Sequence, residues 1–182
     1  LRNKVSLTDC LSLVTRIRND VPDTPLLLMG YYNPIYQYGL ERFAKDCNIS
    51  GVDGLIIPDL PPEELDPLLS ECRPLGLHVI PLVAPTSTDE RIQKACKVAS
   101  GFVYCVSVTG VTGERKSISS DVFDVTNRIR SHTTLPLAIG FGISSPDHIK
   151  SISGHADAAV IGSGLIRSMM EVPLDQVIIN AE

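Results

Sequence analysis

The sequence predicts an α/β chain of the TIM (β/α)8 barrel class, with about six of the eight strand-helix units present. Three observations lead there. Short apolar runs rich in β-branched residues alternate with stretches of helical spacing along the whole chain. The runs are nearly continuous in apolar character, as expected of parallel strands covered by crossover helices. The glycines suited to a ligand come late, in "GFGIS" and "IGSGLI". An open nucleotide-binding sheet would carry its glycine fingerprint after the first strand, where this chain has "YYNPIYQYG".

The elements follow in order. Ser6, with Asp9 three residues on, is a capping pair for a helix whose apolar stripe is Leu7, Leu11, Val14 and Ile17. Residues 25–31 (PLLLMGY) form the first strand, and "YYNPIYQYG" reads as the turn after it. A helix on Leu40, Phe43 and Cys47 leads to the second strand, 54–58 (GLIIP), and a helix on Leu65, Leu68 and Leu69 leads to the third, 77–83 (LHVIPLV). Ile92, Ala95 and Ala99 mark the next helix, followed by the strand 102–108 (FVYCVSV) and the long loop "VTGVTGERKSISSD". Its two glycines suit a mobile flap. Val122, Val125 and Ile129 then precede the strand 135–140 (LPLAIG). Ser144, Ser145, Pro146 and Asp147 open a helix carrying Ile149 and Ile152, before the last strand, 157–161 (DAAVI). Six strands against eight leaves two units unaccounted for, expected to be the first two. The domain expectation is a single (β/α) barrel domain over 1–182, lacking the first two strands and the last part of the C-terminal helix, "PLDQVIINAE".

Composition narrows the function. The 182 residues are 43% hydrophobic with a net charge of -5, enough for one sizeable core. Basic runs with interleaved aromatics are absent, as is any long apolar span, so nucleic-acid and membrane roles are disfavoured. The five cysteines, Cys10, Cys47, Cys72, Cys96 and Cys105, have no C-x-x-C pair and sit at apolar positions. They are expected as small core residues in a reducing compartment. His78, His132, His148 and His155 are scattered without ligand spacing, and no metal is expected.

In a barrel the strands' C-terminal ends face the site. Those ends offer Tyr31, Tyr32 and Asn33; Pro58 and Asp59; Ala84 and Pro85; Ser107; Gly140, Phe141 and Gly142; and Gly162 with Ser163. Gly113, Gly142, Gly162 and Ser163 together present amides and a hydroxyl suited to a phosphate ester, and Gly140 and Gly142 suggest a close approach between backbone and ligand. Asp59, before two prolines, reads as the cap of the helix it precedes or as a hydrogen-bond anchor. Tyr31 and Tyr104 could each turn a phenol toward the interior.

The stretches "LLLMGYYNPIYQYGLERF", "GVDGLIIPDLPPEE", "GFVYCVSVTGVTG", "LPLAIGFGISSPDHIK" and "AAVIGSGLI" resemble the tryptophan synthase alpha chain in order and spacing over nearly the whole chain. The resemblance implies aldol cleavage of indole-3-glycerol phosphate to indole and glyceraldehyde 3-phosphate. It implies that indole passes to a beta chain in an alpha2beta2 tetramer, with pyridoxal phosphate in the beta chain and no cofactor in the alpha chain. It assigns Gly113, Gly142, Gly162 and Ser163 to the phosphate. Tyr31, Ile56, Asp59, Tyr104, Thr112, Phe141 and Val160 go to the rest of the substrate, with Thr112 and Gly113 on the flap. Asn33 and Pro34 resemble part of the beta-chain contact. The family's acid and base, a Glu on the second barrel strand and an Asp on the loop after it, match no motif in these residues, which leaves Tyr104 as a supporting group. A stand-alone lyase of the same family, or a phosphate- or beta-chain-binding module without turnover, are the alternatives. Bacterial cytoplasm, or a plastid stroma, is the expected location.

Overall fold

The computed structural model describes residues 5–106, 120–140 and 146–171. The chain divides into two compact units, Leu1–Leu82 with Lys94–Gly101, and Val83–Gln93 with Phe102–Glu182.

In the first unit, α1 (Leu7–Asp20) begins in the expected capping box. The Asp9 N–H donates to Ser6 Oγ at 3.2 Å, and the Ser6 N–H donates back to Asp9 Oδ2 at 2.8 Å. Strands β1 (Leu27–Met29), β2 (Gly54–Ile56) and β3 (His78–Ile80) pair in parallel in that order. Register puts Leu28, Leu55 and Val79 on one face. That face belongs to a core with Leu11 and Val14 of α1, Phe43, Ala44 and Cys47 of α3 (Leu40–Ser50), and Leu68, Leu69 and Cys72 of α4 (Asp66–Cys72). Each large side chain so buried contributes about 1.5–3 kcal/mol. On the opposite face Ile56 and Ile80 are buried, whereas Leu27 and Met29, on the edge strand β1, are exposed.

Two local departures from the sequence reading have clear causes. "YYNPIYQY" is a helix, α2 (Tyr32–Tyr38), because Pro34 falls in its first turn, where a missing N–H costs nothing. The run 77–83 is two strands, β3 and β4 (Leu82–Val83), parted at Pro81, which cannot donate to a ladder. Helix α5 (Asp89–Val98) is shared between the two units.

In the second unit the sheet order is β4, β5 (Val103–Val106), β6 (Leu137–Gly140), β7 (Ala158–Val160), with β5–β6 and β6–β7 parallel. One face carries Val103, Cys105, Leu137 and Ile139, all fully buried. Helix α6 (Ser120–Arg130), which lies against β5, is fully buried at Val122, Val125 and Ile129. The other face aligns Tyr104, Ala138 and Ala158, then Val106, Gly140 and Val160. Helices α7 (Pro146–Ile152) and α8 (Ser163–Glu171) follow β6 and β7.

The two units share a device the sequence reading did not find. At the end of α1, Arg18 donates to the carbonyls of Gly51, Pro22 and Thr24 and pairs with Asp53, while Asp53 Oδ2 accepts the Leu26 N–H at 2.7 Å. At the end of α6, Arg130 donates to the Leu135 carbonyl and pairs with Asp157, and Asp157 Oδ2 accepts the Leu137 N–H at 2.7 Å. Each Asp immediately precedes a strand, and each Arg neutralises it while satisfying loop carbonyls. The visible signal is the pair "PLLLM…VDGLI" and "PLAIG…ADAAV".

Candidate functional site

Tyr104, in the middle of β5, is 3% exposed. Burial, with the neighbouring Cys105 second, pushes its phenol above the ordinary tyrosine range, so it stays protonated at neutral pH. Its hydroxyl occupies the space beside Gly140: a Cβ built on Gly140 would lie 1.9 Å from Tyr104 Oη and 2.5 Å from Cζ. The close approach expected at Gly140 is therefore made by this protein's own phenol. The Gly140 backbone is not in the left-handed region, so space alone excludes a side chain there.

Beyond β7 the chain turns directly into α8. Val160, the last residue of the strand, is half-buried, and Gly162 and Ser163 are exposed. The Gly162 carbonyl accepts the Ile166 N–H at 3.1 Å, which makes Gly162 the cap residue and leaves the first-turn amides of α8 directed outward. A Cβ on Gly162 would meet nothing within 4 Å among the described residues. An N-terminus with open backbone approach is chemically suited to an anion.

In the first unit, Ile56 ends β2 and is 8% exposed, while Tyr31 follows β1 and is 68% exposed. Asp59 is a cap, though not of the helix it precedes. Both of its carboxylate oxygens accept the Tyr32 N–H, at 2.9 and 3.1 Å, at the start of α2. Of the two expectations for Asp59, it fills that of a hydrogen-bond anchor, because parallel strands bring the end of β2 beside the end of β1. Asn33 and Pro34, in the first turn of α2, are exposed. Burial first, then Tyr36 and Glu64, raises the Tyr32 phenol.

Thr112, Gly113, Phe141 and Gly142, with Ser107 and the expected flap up to Ser119, lie outside the described residues, while its last two residues, Ser120 and Asp121, begin α6. Among the described residues no cluster of His, Cys, Asp or Glu could hold a metal, and no helix is long and apolar enough to cross a membrane. Cys47, Cys72, Cys96 and Cys105 are buried, and Cys10 is partly exposed. Burial pushes the Cys47 and Cys105 thiols up to about 12 and Cys72 up to about 11. Such thiols behave as packing groups.

Residues 1–179 match the family described as tryptophan synthase alpha chain. A relative from Roseiflexus castenholzii, named tryptophan synthase alpha chain, is 50% identical over 166 residues, covering 91% of this chain and 64% of its own length. One from Roseiflexus sp. with the same name is 45% identical over 181 residues, covering 100% of this chain and 69% of its own. A solved structure titled for mutual activation of the tryptophan synthase α2β2 complex of Pyrococcus furiosus superposes with a TM-score of 0.88 at 32% identity. It covers 98% of this chain and 72% of the other. The chain thus spans about two thirds of the length of such relatives, and its fold is that of the TIM barrel family they share.

Proposed function

The chain belongs to the tryptophan synthase alpha chain family, and on that basis we propose that it serves the aldol cleavage of indole-3-glycerol phosphate to indole and glyceraldehyde 3-phosphate. The observation that carries this reading is the family match over residues 1–179. Carbon-carbon cleavage here needs an acid to protonate the indole carbon and a base to take the glycerol hydroxyl proton. The residues of this chain supply binding. Gly162 and Ser163 present the first-turn amides of α8 and a hydroxyl to the phosphate, and Gly113 and Gly142 add to that role. By the family resemblance Tyr31 and Ile56 serve the indole and glycerol portions, and Phe141 and Val160 the rest of the substrate. Thr112 acts from the flap. Tyr104 brings a phenol O–H that can donate a hydrogen bond.

Indole passes to a beta chain carrying pyridoxal phosphate, docked on the exposed Asn33 and Pro34. The α2β2 title of the Pyrococcus furiosus relative supports this partner. The alpha chain needs no cofactor of its own. Cytoplasm or plastid stroma is the location consistent with that pathway.

The test is calorimetric titration of the chain with indole-3-glycerol phosphate and with inorganic phosphate, alongside indole release with and without a beta chain. Binding of both ligands in competition is expected, abolished for phosphate by Ser163→Asp. An indole-3-glycerol phosphate titration without heat or saturation overturns the reading. Indole release by the chain alone would place an acid and a base within these residues and leave the beta chain as a receiver only.

A further inference from the structure

Asp59 stands past the exit of β2, yet its carboxylate serves the exit of β1. Its two oxygens share one donor, the Tyr32 N–H, at 2.9 and 3.1 Å. That donor is one of the orphan amides at the start of α2. The helix does not satisfy it from within: Tyr31, in the cap position, makes no side-chain cap hydrogen bond, and the first turn holds no acidic residue. The acceptor is firmly held. A hydrogen bond from the Leu60 N–H to the Ile57 carbonyl, at 3.2 Å, closes the turn around Asp59, and Pro61 and Pro62 stiffen the chain behind it. The donor side is looser. Past β1 the last ladder bond is Gly30 N–H to the Ile56 carbonyl at 3.1 Å, and a Cβ on Gly30 would meet nothing within 4 Å among the described residues.

We propose that Asp59 is a positioning residue: by capping α2 across the sheet it sets where Tyr31 stands relative to Ile56, and so sets affinity for the aromatic part of the substrate. This rests on the functional reading above. Asp59 acts through the helix, its carboxylate being already engaged with a backbone amide, and it transfers no proton. An uncharged acceptor of the same shape therefore serves as well, since Asn and Asp cap equally.

The experiment compares the chain with Asp59→Asn and Asp59→Ala. Hydrogen exchange over residues 31–36 should quicken about tenfold in Asp59→Ala and stay within about twofold of the parent in Asp59→Asn. Affinity for indole-3-glycerol phosphate should fall about five- to tenfold in Asp59→Ala alone, with affinity for inorganic phosphate unchanged in both variants. A merely destabilised fold would weaken both ligands together. Equal losses in the two variants would mean that the charge itself touches substrate, and no loss in either would mean that the cap positions nothing; both overturn the proposal. If the parent chain does not bind indole-3-glycerol phosphate, the functional reading falls. Exchange then decides: unchanged rates in Asp59→Ala overturn the cap, and quickened rates rescued by Asp59→Asn sustain it.

Discussion

Gly140→Ala tests the packing of the second unit most directly. The added methyl carbon would sit 1.9 Å from Tyr104 Oη, 2.5 Å from Cζ and 3.0 Å from Cε1. Ordinary contact begins near 3.4 Å, so the phenol end would have to retreat by more than 1 Å. The ring has little freedom to do so, because Tyr104 is 3% exposed and its backbone is paired to Ala138 in the parallel ladder. Overpacking of a fixed core costs about 1–3 kcal/mol, and a rigid ring end places this site at the top, about 3 kcal/mol. Urea unfolding read by circular dichroism measures the loss. The decisive comparison is the same substitution in the Tyr104→Leu background, which removes the two closest atoms; there the cost should drop below about 1 kcal/mol, a coupling of about 2 kcal/mol. A Gly140→Ala protein as stable as its parent, or an equal cost in both backgrounds, would refute the reasoning.

Three further outcomes are expected. The Leu137 N–H first, and Arg130 second, hold the Asp157 carboxyl below its ordinary value of 3.8. A depressed carboxylate stabilises the fold above that value and ceases to as pH falls through its native pKa. Asp157→Asn should therefore lower stability at pH 7, by up to about 1 kcal/mol for a half-exposed pair, and the gap should narrow only as pH falls below 3.8 through the lowered native pKa; a gap that stays constant from neutral pH into acid would contradict this. Under native conditions at neutral pH, a thiol-specific disulfide reagent should modify Cys10 quickly and the four buried cysteines only on unfolding. Rapid modification of two or more thiols would count against the assigned burial. Ser6→Ala should cost about 1 kcal/mol through the lost cap of α1, and a cost below about 0.3 kcal/mol would show that the capping box is idle.

Elements with strong local signals were legible in advance. Ser6 with Asp9 announced α1, the apolar spacing of Val122, Val125 and Ile129 announced α6, and all six apolar runs contain strands. Two elements differ from the local pattern: "YYNPIYQY", expected as a turn, is the helix α2 with Pro34 in its first turn, and the run 77–83, expected as one strand, is parted at Pro81 into β3 and β4. The sequence by itself determined the alternation of parallel strands and helices and the family, because spacing and motif order are properties of the chain alone; of the five cysteines it assigned to the core, four are buried and Cys10, on the helix α1, is partly exposed. Only tertiary structure decided what stands beside what. Parallel pairing puts residues dozens of positions apart at one level. Through it Asp59 caps α2 instead of its own helix, Tyr104 fills the space of a Gly140 side chain, and Arg18 and Arg130 each meet an Asp across a strand entrance. Such partners carry no signature in spacing, since the crossover that joins them can be of any length.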